Sequence, residues 1–251
     1  MKRILFADLD DTLFQSHRQA TPGKDWVSVA YLADGSPVCY ASPLQQSMLA
    51  FFQSEMVVIP VTARDLGAFR RVSIEFRHEA ILNYGGVILN GGGEVDEVWL
   101  ERSRRESAAA LDTLQRWQEL LEEECIRAHL DFHVRLISDC DTTFYLVAKS
   151  KSGNVDAIER ARQFCERVRL EGELPACRIH ANGNNLAVLP IWLSKGDAVA
   201  YLRARYEQLY GEVVTFGMGD SLTDLDFMRT CEFMVVPRSS QIAEQALCVQ
   251  P

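Results

Sequence analysis

The sequence predicts an α/β protein, a doubly wound and mostly parallel sheet with a smaller α+β unit inserted into it. Two observations carry this expectation. Short apolar runs without polar alternation recur at Arg3–Ala7 (RILFA), Met56–Val61 (MVVIPV), Val213–Met218 (VVTFGM) and Phe233–Val236 (FMVV); such runs are strands buried on both faces, with helical periodicity between them. Between residues 91 and 189 the texture changes, and the order helix, strand, strand occurs twice.

Taken in order, the first run ends at Asp8, and Trp26–Tyr31 and Pro37–Tyr40 then flank Asp34-Gly35, a tight-turn pair that predicts a β-hairpin. Helices are expected over Pro43–Ser54, Leu66–Phe76, Lys195–Tyr210 and Thr223–Arg229, with Gly211 closing the third. In the insert, Ser103 and Glu106 form a capping box that opens a helix to Ala128. Strands follow at Phe132–Ile137 and Thr142–Ala148, a helix at Val155–Val168, and strands at Cys177–Ala181 and Leu186–Leu189. That order suits an antiparallel sheet with one face under two helices. Gly91–Gly93 and Pro190 are the expected hinges, giving one domain from 1–90 with 190–251 and a second from 91–189.

Composition narrows the function. With 26 Lys and Arg against 35 Asp and Glu the chain carries a net charge of −9, which argues against a protein that binds nucleic-acid backbones. The apolar run Ile4–Ala7 stops at Asp8, short of a signal-peptide core. No later run approaches the ~18 apolar residues a membrane span needs. The seven cysteines are odd in number, scattered and without a C-x-x-C pair, so neither a disulfide framework nor a zinc site is expected and a reducing cytoplasm fits.

Ligands of open α/β sheets sit beyond the carboxyl ends of the strands. The residues there are Asp8-Leu9-Asp10-Asp11-Thr12, Thr62-Ala63-Arg64-Asp65 and Gly219-Asp220-Ser221-Leu222-Thr223-Asp224, with Ser194-Lys195-Gly196-Asp197 after the insert. Thr62 and Asp65, Ser194 and Asp197, and Ser221 and Asp224 each place a hydroxyl three residues before a carboxylate, a relaxed helix N-cap pattern. Helix N-termini favour phosphate. Converging on Asp8 and Asp10, they would join anion-binding amides, the Lys195 ammonium and the carboxylates of Asp8, Asp10 and Asp220. Carboxylates and a phosphate share a site only with a cation between them, and hard oxygen ligands point to Mg²⁺. Singly, each segment has a plain reading as a turn, a cap or a solvated lysine; the four together, in order, point to one pocket.

These segments resemble the haloacid-dehalogenase superfamily of phosphohydrolases. ILFADLDDT is similar to its apolar run followed by D-x-D-x-T, Thr62 to its Thr or Ser after a strand, Lys195 to its lysine, and GDSLTD to its G-D-x-x-x-D. The insert resembles the family's C2-type cap, and GNNLAVLPIWLSKGDAVAYL resembles the segment entering the third motif of sucrose-phosphatase-like members, with Asn185 and Ala187 where two acids are usual. The resemblance implies a Rossmann-like core and a Mg²⁺-dependent phosphomonoesterase acting on a small-molecule phosphate ester, such as a sugar phosphate. In it Asp8 is the nucleophile and Asp10 the acid and base. Asp8, the Asp10 carbonyl, Asp220 and Asp224 hold the metal, and Thr62, the Ala63 amide and Lys195 hold the phosphoryl oxygens. A sugar phosphomutase or phosphotransferase would share this core, and a non-enzymatic sensor of a phosphorylated ligand is a third reading.

Other polar residues carry two readings each. Arg64 suits a substrate contact or an exposed helix turn. His180, Asn182, Asn184 and Asn185 suit sugar hydroxyls or a polar turn around Gly183. Trp26 and Trp192 suit stacking on a sugar or packing, whereas Asp11 is expected in a turn and His78, His129 and His133 lack metal-ligand partners at useful spacing.

Overall fold

The computed structural model describes residues 1–16, 21–172, 174–183 and 185–248. In chain order the elements are β1 (Lys2–Ala7), β2 (Gln15–Ser16), β3 (Val27–Tyr31), β4 (Pro37–Ala41), α1 (Pro43–Glu55), β5 (Val57–Pro60), α2 (Leu66–Phe69), β6 (Ala80–Leu82), a 3₁₀ turn (Asn83–Gly85) and β7 (Val87–Leu89). There follow α3 (Glu97–Arg127), β8 (Phe132–Asp139), β9 (Thr142–Ser150), α4 (Val155–Glu171), β10 (Cys177–Asn182), β11 (Asn185–Pro190), α5 (Lys195–Tyr210), β12 (Val213–Met218), α6 (Leu225–Met228), β13 (Phe233–Val235) and α7 (Gln241–Cys248). Two compact units result, Met1–Leu100 with Ser194–Pro251, and Glu101–Leu193. None of the described helices is long and apolar enough to cross a membrane.

The first unit is built on a parallel sheet in the order β13-β12-β1-β5. A parallel bridge from Val61 to Ile81 continues it to β6, which pairs antiparallel with β7. β1 is central, and its side chains alternate between two apolar clusters. Ile4 and Phe6 pack with Ala198, Val199, Leu202 and Tyr206 of α5, while Leu5 and Ala7 pack with Leu49 of α1 and with Val29, Ala30, Cys39 and Ala41 of β3 and β4. All four strand residues are fully buried, which is why RILFA shows no polar alternation; each large one stabilises the fold by roughly 1.5–3 kcal/mol. The hairpin joins β2-β4-β3, and its turn is made by Gly35 at φ 83 and an Asp34 carboxylate accepting from the Ser36 amide at 2.9 Å.

The second unit is an antiparallel sheet in the order β10-β11-β9-β8. Leu146, Ala148, Leu186 and Val188 on one face pack against Leu114, Trp117 and Leu121 of α3 and Ala157, Ile158, Ala161 and Cys165 of α4. β8 (FHVRLISD) and β10 (CRIHAN) alternate apolar with polar residues, as strands with one face outside a core do, whereas β9 and β11 carry the continuous apolar runs FYLVA and LAVLP.

Several helix starts differ from expectation. The capping box at Ser103 and Glu106 does not form, because α3 begins six residues earlier: Asp96 accepts from the Trp99 amide at 3.1 Å, and Ser103 lies buried within the helix. Asp96 also accepts from Arg205 at 2.6 Å and Tyr201 at 3.3 Å, so this helix start is tied to α5. The helix expected over Leu66–Phe76 stops at Phe69, and that over Thr223–Arg229 is the single turn Leu225–Met228.

Gly217 in β12 lies so close to α6 that a Cβ there would sit 2.7 Å from Met228 Cα. Gly217→Ala is therefore expected to destabilise the protein by about 1–3 kcal/mol, as overpacking does, read as a lowered urea midpoint with an unchanged denaturant slope.

Candidate active site

The parallel register assembles the site. Ala7 lies opposite Pro60 on one side and Met218 on the other, so the chain leaves β1, β5 and β12 at a common edge through Asp8, Val61-Thr62 and Gly219-Asp220. The Asp8 amide donates to the Met218 carbonyl and the Val61 amide to the Ala7 carbonyl, both at 2.8 Å. Helix α5 supplies the fourth segment: Ser194 caps it, accepting from the Asp197 amide at 3.1 Å, and Lys195 follows in its first turn.

Lys195 is the centre of the cluster. Its Nζ donates to Asp8 Oδ1 and Asp224 Oδ1, each at 2.7 Å, and all three side chains are buried. Two of the three ammonium protons are thus used, and none of the described residues takes the third. The second Asp8 oxygen likewise has no hydrogen-bond partner among the described residues. Asp224 is fully engaged, since its Oδ2 accepts from the Ser221 amide at 3.0 Å and hydroxyl at 2.7 Å. Asp220 accepts from the Thr12 hydroxyl at 3.0 Å.

The carboxylates titrate differently because their surroundings differ. Burial pushes the Asp8 carboxyl well above the usual range, Lys195 opposing and Asp224 adding to it. Burial likewise pushes Asp220 up to about 6, helped by Asp224. At Asp224 burial acts upward too, but Lys195 and Ser221 outweigh it and hold the group low. For Lys195 burial opposes the charge, yet Asp224 and Asp8 raise the ammonium above its ordinary value.

Asp8, Asp220 and Asp224 each place a carboxylate oxygen within 4.8 Å of the others. Three carboxylates against one ammonium leave an excess of negative charge on hard oxygen donors, a donor set that fits a Mg²⁺-type cation.

Thr62 is buried and held by the backbone: its amide donates to the Ile81 carbonyl at 2.8 Å, and its hydroxyl oxygen accepts from the Arg64 amide at 3.1 Å. It does not cap a helix. Asp65 does, accepting from the Ala68 amide at 2.6 Å, because the loop needs three more residues before α2 begins. Ser221 is no cap either; it donates to Asp224 instead of accepting from it. Of the three expected N-caps only Ser194 forms. Ala63 lies in the loop between Thr62 and Arg64.

Arg64 is neither exposed nor aimed outward. Its guanidinium grips both Asp10 oxygens, Nε to Oδ2 at 2.7 Å and Nη2 to Oδ1 at 2.6 Å, and lies 5.2 Å from the centre of the Phe14 ring. Cys39 of β4 touches the same pair, 3.2 Å from Arg64 Nη2 and 3.8 Å from Asp10 Oδ1. Asp11 sits in the left-handed region at φ 63, a turn residue with one carboxylate oxygen buried and unpartnered.

His180, Asn182 and Asn185 belong to the second unit, where β10 and β11 pair His180 with Ala187 and Asn182 with Asn185. Asn184 lies outside the described residues. Trp192 is partly buried with its ring 6.3 Å from that of Phe144, and Trp26 sits in the loop before β3.

Four contributors carried no role in the sequence reading. Cys39 and Thr12 act through the contacts above. Asp226 accepts from the Ser194 hydroxyl at 2.8 Å and the Gly196 amide at 3.2 Å, clamping the start of α5 to α6. Tyr84, in the turn after β6, places its ring 5.9 Å from Lys195 Nζ. The turn-forming Asn83 and Gly85-Gly86 directly after an apolar stretch were the available signal for it.

No protein-family model matches the chain, and no curated protein sequence matches it at a significant level. Solved structures do. The sucrose-phosphatase of Synechocystis sp. PCC6803, solved with sucrose and phosphate, superposes with a TM-score of 0.56 at 17% identity, covering 100% of this chain and 88% of that one. The C-terminal domain of the C. albicans trehalose-6-phosphate phosphatase gives 0.54 at 15% identity, covering 91% and 73%. The Plasmodium falciparum IMP-nucleotidase gives 0.57 at 10% identity, covering 94% and 63%. At these identities the likeness is one of fold: the chain shares with these phosphatase structures an α/β core with a parallel sheet and an additional antiparallel unit.

Proposed function

We propose that the protein is a Mg²⁺-dependent phosphomonoesterase that hydrolyses a small phosphate ester, a sugar phosphate, through an aspartyl-phosphate on Asp8. The observation that carries this reading is the buried Lys195 bridging Asp8 and Asp224 at the strand edge where Asp220 and Thr62 also emerge.

In the first half-reaction the second Asp8 oxygen attacks phosphorus, and the bond from phosphorus to the ester oxygen breaks. Asp10 gives its proton to the departing alkoxide. In the second half Asp10 takes a proton from water, whose oxygen attacks the aspartyl-phosphate and releases phosphate and free Asp8. For the first role Asp10 must exchange its two bonds to Arg64 for a proton. The third Lys195 proton, the Thr62 hydroxyl and the Ala63 amide bind the phosphoryl oxygens, where positioning and fixed charge supply most of the rate. Mg²⁺, held by Asp8, Asp220 and the Asp10 carbonyl with Asp224 behind them, would supply positive charge that offsets the carboxylates and the incoming phosphate. The sugar-phosphate choice is supported by the sucrose-phosphatase and trehalose-6-phosphate phosphatase likenesses. His180, Asn182, Asn184 and Asn185 are the groups we assign to sugar hydroxyls. Cys39, Cys125, Cys140, Cys165, Cys177 and Cys231 are free thiols, which suits a cytoplasmic setting.

Asp8→Asn should lower turnover of a phosphate-ester panel at least about a thousandfold with an unchanged circular-dichroism spectrum, and EDTA should abolish wild-type turnover until Mg²⁺ is restored. Wild-type protein no more active than the variant on every ester would reject the reading. Lys195→Ala leaves two buried carboxylates facing each other, so it should cost about 3–5 kcal/mol of stability and lower kcat by about a hundredfold or more. Chemical denaturation and steady-state kinetics read the two effects separately.

The raised groups also predict a pH dependence. Folded Asp8 and Asp220 bind protons more tightly than they do unfolded, so without metal their contribution is most favourable in acid and is lost as pH rises, for Asp220 between about 4 and about 6. Mg²⁺ binding acts on the ionised forms. The gain in Tm from MgCl₂ over EDTA should therefore be larger at about pH 7.5 than at about pH 5, and smaller at both in Asp220→Asn. Differential scanning fluorimetry measures it.

A further inference from the structure

Two consecutive residues between β6 and β7, neither of them glycine, adopt left-handed backbone conformations, Asn83 at φ 50 and Tyr84 at φ 55. Asparagine tolerates that region; tyrosine does not do so readily, and such strain persists only where the surroundings impose it. Here they impose it from both sides. The Asn83 amide donates to the Arg64 carbonyl at 2.9 Å and the Tyr84 amide to the Thr62 carbonyl at 3.1 Å, which ties the turn to the loop leaving β5. On the other side Gly85, at φ 99, lies so close to the start of α5 that a Cβ would fall 2.2 Å from the Ser194 carbonyl oxygen and 3.1 Å from the Lys195 amide nitrogen. The Trp99 indole closes the turn by donating to the Gly85 carbonyl at 2.8 Å. One strained turn thus touches both segments that face the phosphoryl group, the Thr62 loop and the Lys195 helix start.

The side chain at the strained position is where the geometry leads. The Tyr84 ring centre lies 5.9 Å from Lys195 Nζ, and the Phe227 ring centre 5.7 Å from it. The ammonium is therefore bounded by two rings as well as two carboxylates. Ring faces attract a cation, more strongly where water is excluded. Glycine or asparagine would fit the backbone at position 84 better than tyrosine, so the aromatic side chain is retained against a conformational cost.

We infer that Tyr84 is a positioning residue for Lys195: the strained 83–85 turn sets its ring beside the ammonium, which it confines between Asp8 and Asp224 with one N–H directed to an incoming oxyanion. The positioning is assigned to the ring. Burial pushes the phenol up to about 12, so the group is uncharged at neutral pH and adds no negative charge to the cluster. The inference rests on the phosphatase reading for the nature of the oxyanion.

The test measures orthovanadate binding by calorimetry on the full chain with MgCl₂, in wild type, Tyr84→Phe, Tyr84→Ala and Tyr84→Gly, and again with Lys195→Ala added. Loss of the ring, in either the Ala or the Gly variant, should weaken binding about tenfold, and Tyr84→Phe should stay within about twofold of wild type. Glycine relieves the left-handed strain, so Tyr84→Gly should melt above Tyr84→Ala and yet bind no better, a split that a purely structural role would not produce. In the Lys195→Ala background Tyr84→Ala should change the affinity by less than about twofold, because the group it positions is gone. Equal losses in both backgrounds, wild-type binding by the Gly variant, or failure of Phe to restore binding would each overturn the inference. Should Lys195→Ala unfold or bind nothing, Lys195→Met replaces it; if that also binds nothing, the Phe and Gly variants decide. Wild type that binds orthovanadate and hydrolyses no ester rejects the phosphatase reading alone, whereas wild type that binds none rejects both.

Discussion

A lysine at the first position of a helix is electrostatically misplaced, because the amino end of the helix carries partial positive charge and favours anions. Lys195 stands there, buried, and is kept charged by Asp8 and Asp224 at 2.7 Å each. The rest of the first unit follows from this arrangement. The ammonium makes it tolerable to bury two carboxylates at the end of a parallel sheet, and the carboxylates make it tolerable to bury the ammonium at a helix start. Removing Lys195 leaves two buried carboxylates uncompensated, whereas removing either carboxylate leaves the ammonium paired with the other. The first-turn amides of the same helix are taken up within the protein, Gly196 by Asp226 and Asp197 by Ser194, so the positive charge at this helix start is carried by Lys195 itself.

The second organising contact is the two-pronged grip of Arg64 on Asp10. It draws three otherwise separate pieces of chain to one point: the turn after β1, the loop after β5, and the hairpin strand that carries Cys39. The guanidinium side chain is only 14% exposed, whereas that of Asp10 is 44% exposed. The carboxylate is thus the more accessible partner, and the arginine is the fixed one. Packing against Phe14 and Cys39 holds the guanidinium in place, and Asp10 is the member with room to change partners.

How much of this the sequence displayed depends on the range of the interaction. Continuous apolar runs reported the parallel strands because β1, for example, buries Ile4 and Phe6 on one face and Leu5 and Ala7 on the other. The residues just past those runs reported the site because parallel register carries every strand end to one edge. Choices among neighbouring polar groups were not legible. Asp65 caps α2 in place of Thr62, and Asp96 starts α3 in place of Ser103, because tertiary contacts decided which local cap was used. Nor could a pattern of residue types reveal that Arg64 would turn inward to Asp10, 54 positions away, or that Tyr84 would occupy a conformation its type disfavours. Those features exist only once distant segments have met.

The central position of β1 also bears on how the molecule comes into being. Its two neighbours are β5, formed from nearby chain, and β12, which is made only after the whole second unit has been synthesised. Asp8 precedes its partner Lys195 by 187 positions. While the chain emerges from a ribosome, an apolar strand ending in a cluster of acids therefore waits with one edge unpaired, through the time in which the intervening unit can fold by itself. Contacts of such long separation close slowly, and unpaired edges invite association in the meantime. The segments that bring Lys195 and Asp224 to Asp8 arrive together with the strand that seals this edge, so the buried charge cluster and the protection from aggregation would form in the same late step.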